Sequence, residues 1–388
     1  MLSVTDSGVY ILIAKRTPIG KINGQYQSIP AHDLFARLVG RSIDSGLYSD
    51  IDEIIVGNAV GGGGNLARLA ALTAGIPESV PATTIDYQCG ASLKALQYGF
   101  SLIKSGQCQV VLAGGAESSS TRPLRYYSPK DPRQKQYPDE IERAQFSPEA
   151  LGDPGMLEAA NNVANQLNIS RSAMDEFSGL SHQKANTVVT KGLLKSVITP
   201  ITEDPSECDQ SIRQTNIEAL LKRAKPVLPD SDITAANACG MHDGASLVLL
   251  ASGRWVKKHK ISPLAEVITA SSIGCDPNLA PLGPVYSTQK IMEHPDLQGN
   301  KIDLFEINEA FAVKALAFME LNGCPPDTFN ILGGSLAYGH PYAATGTILI
   351  AHLIRALELR NGRYGIAGMG VAGGQGISVL IRNCQHVN

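Results

Sequence analysis

Along most of the chain, short apolar runs alternate with longer amphipathic stretches. Val9 to Ala14 is an apolar run of strand length. His32 to Gly46 carries its apolar residues at helical spacing, and Ile54 to Val60 returns to strand character. Asn65 to Gly75 predicts a short helix, with Asn65 as its cap and Gly75 as its stop. Leu93, Leu96, Phe100 and Ile103 recur at helical spacing up to Gly106, and Gln109 to Ala113 is a strand running into Gly114-Gly115. From about Thr121 to Asp243 the texture changes: Pro, Asp, Gln and Arg become frequent, and one helix stands out, around Ser172 to Gly192. This stretch reads as a large insertion or cap. Strand and helix alternation then resumes to the end, so the class is α/β, with a largely parallel sheet expected.

The alternation contains a repeat. Ile51-Asp52 leads through a strand to Asn58, and Ile302-Asp303 leads through a strand to Glu309. Cys89 follows Asn58 by 31 positions and His340 follows Glu309 by 31, each just before a helix. Both helices feed strands that end in glycine, at Gly114-Gly115 and at Gly368 and Gly370. Three coincidences in register point to two copies of one α/β unit. A pseudo-twofold would bring Cys89 and His340 to a shared crevice, where such sheets place ligands.

Composition narrows the function classes. A chain of 388 residues exceeds one small domain, and 43% hydrophobic with 18% charged residues is globular. The net charge of −3 offers no basic excess for nucleic acid or an anionic membrane. The longest apolar stretches, Ala245 to Ala251 and Thr347 to Ala351, fall short of a membrane span, and the N-terminus lacks a signal-peptide layout. Seven scattered cysteines with no C-x-x-C pair suggest reduced thiols and a cytoplasmic setting. Metal-ligand spacing is absent; Cys384-x-His386 reads as part of a frayed tail rather than a ligand pair.

Gly368, Gly370 and Gly373 form G-x-G-x-x-G within Tyr364 to Ile381, but the alternating Ile377 to Ile381 that follows predicts a strand. A dinucleotide loop requires a helix there and an acidic residue about 20 positions on, so that reading fails. Cys89 lies on a strand-to-helix turn, where the helix N-terminus lowers a thiol pKa; the alternative is a buried apolar cysteine. His340, between Gly339 and Pro341, lies where a base is needed. Ser335 lacks the second flanking glycine of a hydrolase elbow. Asn308 and Glu309, in "INEAFAV", sit among apolar neighbours at a strand end, as a cap or as holders of a catalytic water or oxyanion.

Together, "AKRTPIGK", "GNAVGGGGNLARLAAL", "VPATTIDYQCGASLKA", "VVLAGGAES", "TAANACGMHDGA", "NEAFA" and "GGSLAYGHPYAATG" occur in the order found in the thiolase family, which the chain resembles over its whole length. The resemblance implies the thiolase fold, two similar α/β halves packed as a layered sandwich. Residues 1–120 would form the first half, completed by about 244–262; 121–243 would be an inserted loop domain that binds coenzyme A, and 263–388 the second half. It implies acyl-CoA thioesters as substrates, no cofactor, and a homodimer or homotetramer. By position, Cys89 matches the nucleophile that takes the acyl group, His340 the histidine that activates it, and Asn308 the asparagine that holds a water in the oxyanion site. Met156, Ala238, Cys239, Gly240, Ala310 and Phe311 match segments lining the pantetheine channel, with Cys239 in place of a serine. Ala91 and Ser92 replace the usual Ser-Gly after the nucleophile.

The family's second cysteine, which shuttles the α-proton, falls on Gly370, and a backbone N–H near Ala372 would serve a second oxyanion hole. The glycine stretch therefore resembles the frame of a thiolase site whose acid/base is gone. The implied activity is acyl transfer through Cys89, of the acetyl-CoA C-acetyltransferase or 3-ketoacyl-CoA thiolase class, with a weakened or rerouted carbon–carbon step. Two alternatives remain: transfer of the acyl group to water or another nucleophile, and non-catalytic acyl-CoA binding. Cys239 is the nearest candidate for a replacement acid/base.

Overall fold

The computed structural model describes residues 4–134, 140–141, 143–214, 216–297 and 300–386. The first half runs β1 (Val9–Arg16), β2 (Gly20–Lys21), α1 (Ala31–Ser42), β3 (Glu53–Gly57), α2 (Leu66–Thr73), β4 (Ala82–Ile85), α3 (Ala91–Lys104) and β5 (Val110–Ser118). Helices α4 (Met156–Leu167), α5 (Arg171–Lys191) and α6 (Ile217–Arg223) follow, so the described residues of the insertion hold three helices rather than one. Then come β6 (His242–Ser252), α7 (Gly253–His259), β7 (Ala265–Gly274), α8 (Gly283–Met292), β8 (Leu304–Ile307), α9 (Ala312–Asn322) and α10 (Ser335–Tyr338). The chain closes with α11 (Thr345–Arg360), β9 (Tyr364–Val371) and β10 (Gln375–Asn383). Local signals set several of these ends. The Asn65 side chain caps α2 through Arg68 N, Ser170 caps α5 through Ala173 N, and Gly192 ends α5 in the left-handed conformation.

All ten strands share one sheet in the order β4-β3-β5-β6-β1-β7-β10-β9-β8, with β2 beside β6. Outward from the antiparallel β1–β7 pair, β6, β5, β3 and β4 on one side correspond to β10, β9, β8 and the bridge at Phe329 on the other. The repeat is real at the level of single atoms. Asp52 Oδ2 accepts from Gln109 N and Val110 N, while Asp303 Oδ2 accepts from Arg363 N and Tyr364 N. The largely parallel sheet expected from the alternation is not found. β3 pairs in parallel with β4 and β5, and β8 with β9, but β6 and β10 return antiparallel and the halves join antiparallel. The β9–β10 connection is a tight hairpin, which permits only antiparallel pairing.

Side-chain alternation along the strands divides the core into layers. Val111, Ala113, Met369, Val371, Ile377 and Val379 face a central layer made by α3 and α11; Val110 and Leu112 face outward onto α1 and α2, and Ile366 and Leu380 onto α9. The Tyr342–Arg360 segment containing Thr347 to Ala351 proves long and apolar enough for a span, at mean hydropathy 1.2, but 78% of that window is buried. It serves as the central core helix. The C-terminal tail also differs from expectation. Cys384 is buried, its N–H donates to Leu264 O, and His386 Nδ1 lies 2.8 Å from Asn361 O.

The layers meet most tightly at glycine. A β-carbon at Gly115 would lie 2.1 Å from Ala343 O and 2.9 Å from Ser92 Cβ, whereas one at Gly40 meets nothing. Gly115→Ala should destabilise the protein by about 1–3 kcal/mol through overpacking. Gly40→Ala, in a helix interior, should gain up to about 1 kcal/mol. Urea midpoints of the two variants measure the contrast.

Candidate active site

Cys89 lies in the 3₁₀ turn Gln88–Gly90 between β4 and α3. Gln88 before it takes φ +45°, a left-handed conformation uncommon for a residue with a side chain. Asp86 Oδ1 holds it there, accepting from Gln88 N at 2.8 Å and from its Nε2 at 2.9 Å. The sharp turn presents Cys89 at a helix start that no side chain caps. Cys89 is half-buried. The lowered thiol expected from the helix end is not found. Burial dominates and pushes it up to about 11, Lys314 pulls the other way, and Glu117 adds to the rise.

His340 sits in the loop between α10 and the 3₁₀ turn Tyr342–Ala344, which packs against the Cys89 turn. Gly339 before it has φ +111°, and a β-carbon there would lie 2.4 Å from the His242 ring. His340 Nδ1 is 2.6 Å from Thr345 Oγ1, and its Nε2 is 3.2 Å from Asn308 Nδ2. Because the Asn308 amide donates, Nε2 accepts and the ring proton sits on Nδ1, donating to Thr345. Asn308 Oδ1 accepts from Ser335 Oγ at 2.6 Å, so Asn308 contacts the imidazole directly and Ser335 serves it. Burial, with Lys314 and His242 nearby, holds His340 well below the usual range and therefore neutral. Glu309, beside Asn308, turns away: it accepts from Ser181 Oγ and Asn330 Nδ2, a structural role.

The residues matched to a ligand channel gather around the start of α9. Ala238 pairs with Phe311, Cys239 N donates to Ala310 O, and half-buried Met156 packs on the same cluster. Gly240 O lies 2.9 Å from His242 Nδ1, which also lies 3.2 Å from His340 N. Burial pushes the Cys239 thiol up to about 12 and His242 down to about 4. Tyr342 packs edge-on against His340 and lies in the fields of Cys239, Cys89 and Glu117.

On the first turn of α9 stands Lys314, only 2% exposed. Among the described residues its ammonium makes no hydrogen bond or ion pair. Burial lowers it to about 8, against the opposing pull of Cys89, Cys239 and Glu309. Motif reading passed over Lys314, His242, Thr345 and Tyr342. Lys314 did have a signal, a lone cation inside the apolar run "AVKALAF".

The glycine stretch is the β9–β10 hairpin, with Gly373 at φ +82° and Gly374 at φ +76°. A strand follows it, as its alternation predicted, and no helix. The turn adjoins Cys89: a β-carbon on Gly90 would lie 2.7 Å from Val371 Cγ2. Gly370 has no left-handed φ, but a β-carbon there would come 2.8 Å from Ala280 O and 3.3 Å from Pro284 Cδ. The space a side chain would take is filled by the 3₁₀ segment Pro277–Leu282 and the start of α8. Ala372 is buried in the turn.

Two family models match the chain: the thiolase N-terminal domain over residues 9–254 and the thiolase C-terminal domain over residues 261–383. Among curated proteins, the chain is similar to the Bacillus subtilis "Putative acetyl-CoA C-acetyltransferase YhfS". The two are 40% identical over 374 residues, 95% of this chain and 98% of that one. It is 35% identical to the Staphylococcus haemolyticus protein of the same description, VraB, over 95% of this chain and 97% of the other. The crystal structure of the Bacillus anthracis acetyl-CoA acetyltransferase superposes with a TM-score of 0.90 at 30% identity, covering 98% of this chain and 100% of that one. Human mitochondrial 3-ketoacyl-CoA thiolase in complex with CoA superposes with a TM-score of 0.89 at 32% identity, covering 97% and 98%.

The raised Cys89 thiol sets a reactivity profile. Alkylation of Cys89 by iodoacetamide, mapped by peptide mass, should accelerate about tenfold per pH unit from about pH 7 to about pH 10, as the thiolate fraction grows. A rate flat across that range would contradict a thiol held near 11.

Proposed function

The chain belongs to the thiolase family, and from that premise we propose that it transfers acyl groups from coenzyme A thioesters through Cys89, in the acetyl-CoA C-acetyltransferase or 3-ketoacyl-CoA thiolase class. The observation that carries this reading is the packing of the Cys89 turn, which holds a half-buried thiol at an uncapped helix start, against the turn that follows a neutral, anchored imidazole. The Cys89 thiol gives its proton to His340 Nε2, displacing the Asn308 hydrogen bond that this lone pair accepts at rest, while its sulfur attacks the thioester carbonyl. The carbon–sulfur bond to coenzyme A breaks, and His340 returns the proton to the departing sulfur. The N–H groups of the Cys89 turn and of Ala372 serve the oxyanion, with Thr345 anchoring the imidazole through Nδ1 throughout and Asn308 through Nε2 at rest. Met156, Ala238, Cys239, Gly240, Ala310 and Phe311 line the thioester's channel. Coenzyme A enters as part of the substrate, and no other cofactor is required.

The carbon–carbon step lacks the family's usual base, since Gly370 stands in its place. A positioned base is worth about 10²–10⁴-fold, so condensation and thiolysis are weakened or rerouted through another group. The filled space at position 370 favours a second reading, in which the acyl group passes to water or another nucleophile; product analysis separates the two. The seven free cysteines suit a cytoplasmic setting. Leu69 and Leu72, 50% and 42% exposed on α2 beside the Gly61–Gly64 loop, suit a self-association surface, and a homodimer or homotetramer is proposed.

Incubation with acetyl-CoA should add one acetyl group per chain by intact mass. Cys89→Ser should lose most of it, and His340→Ala should slow it by about 10²–10⁴-fold. An adduct persisting in Cys89→Ala would contradict the assignment. Light scattering at micromolar concentration should give at least a dimer, and a 41 kDa particle would count against one.

A further inference from the structure

We propose that Lys314 is the acid/base of the carbon–carbon step, its amine exchanging the α-proton that no group at position 370 can move; this rests on acyl transfer through Cys89. Three observations converge. The side chain is almost wholly buried, yet its nitrogen has no hydrogen-bond or ion-pair partner among the described residues. The nitrogen itself is not fully enclosed, yet the burial around it still disfavours the ammonium. Its place on the first turn of α9 adds the positive end of a helix, which also disfavours the ammonium. Finally, the groups whose fields reach it are those of the site: Cys89 first, then Cys239 and Glu309, with His340 feeling it in turn.

The proton balance closes on one lysine. With Cys89 carrying an acetyl group, the neutral amine takes a methyl proton from a second acetyl-CoA and becomes an ammonium. The enolate carbon attacks the acetyl carbonyl, the bond from that carbon to Cys89 sulfur breaks, and acetoacetyl-CoA forms. Cys89 leaves as a thiolate beside the ammonium, which returns the proton to it. Amine and thiol are restored, and no oxidant or further reactant is needed. Cys239 serves this role less well, because a thiol pushed to about 12 is rarely ionised near neutral pH, whereas an amine lowered to about 8 is partly free.

The test compares wild type, Lys314→Met and Lys314→Arg in three measurements. These are deuterium uptake into the methyl group of acetyl-CoA in D2O, thiolysis of acetoacetyl-CoA, and single-turnover acetylation of Cys89 by intact mass. Both variants should lose uptake and thiolysis by about 10²–10⁴-fold, since Met has no base and Arg cannot be deprotonated. Cys89 acetylation should change by less than about tenfold. Thiolysis by wild type should rise through about pH 8 as the amine loses its proton, and Lys314→Met should lose that inflection. Added methylamine should restore part of the activity of Lys314→Ala. Lys314→Met should fold with a raised Tm, having shed a buried charge.

Equal loss of acetylation and deuterium uptake in Lys314→Met would overturn the proposal by making Lys314 a partner of Cys89 alone. So would unchanged uptake in Lys314→Met, or loss in Cys239→Ser instead. Absence of Cys89 acetylation in wild type would overturn the acyl-transfer reading itself, and this proposal with it.

Discussion

Everything at the site depends on how closely the two central helices approach. A β-carbon at Gly346, near the start of α11, would lie 2.5 Å from Leu93 N near the start of α3. Thr347 N donates to Ser92 Oγ across the same contact. Gly57 and Gly115 remove side chains where the strands back onto it, since β-carbons there would strike Ala91 and Ala343. Glycine at these positions lets the two helix starts come this close. Because the two halves repeat one plan, that junction brings the residue preceding α3 and the residues preceding α11 into one place, and these are Cys89 and the His340 loop.

The junction is buried, and burial sets its chemistry. It keeps the proton on Cys89 sulfur, keeps His340 neutral, and pulls the Lys314 amine toward neutrality. Each shift has the sign that burial alone gives, raising acids and lowering bases. At rest, then, the thiol and the imidazole are uncharged, and Lys314 is the cation among these three groups, held closer to losing its proton than an ordinary lysine. The hydrogen-bond chain from Ser335 through Asn308 and His340 to Thr345 fixes the imidazole without adding a charge. A carboxylate orienter would have stabilised an imidazolium, whereas this chain keeps the ring a neutral base.

Much of this was legible in the residues. The repeat was visible because Asp52 and Asp303 do the same hydrogen-bonding work in each half, so both copies retain them. Helix ends at Asn65 and Gly192 followed from capping chemistry, which is local, while the cap of α5 proved to be Ser170, two residues before the expected start. The sheet direction was not legible, because β6 follows a long insertion and apolar alternation carries no strand polarity. The thiol's direction of shift was also misread, since the helix end is a sequence-local feature while burial depends on the whole fold. Lys314 carried a local signal, a lone cation in the apolar run "AVKALAF", but what gives that signal meaning is its surroundings, which depend on the whole fold.

The glycines of the final hairpin show why a motif can outlast its chemistry. Gly373 and Gly374 adopt positive φ, and a β-carbon on Gly376 would lie 2.0 Å from Gly283 O. These are demands of the backbone, set by a hairpin pressed against the start of α8, and they hold whatever residue occupies position 370. Removing an acid/base there costs the fold nothing, and the space is taken by Ala280 and Pro284. A buried lysine has the opposite profile: burial disfavours its ammonium, and no hydrogen bond or ion pair among the described residues offsets that cost. Within one crevice, then, the stretch that resembles the family's catalytic motif is explained by structure alone, while Lys314, which structure alone does not explain, lies in the field of the Cys89 sulfur.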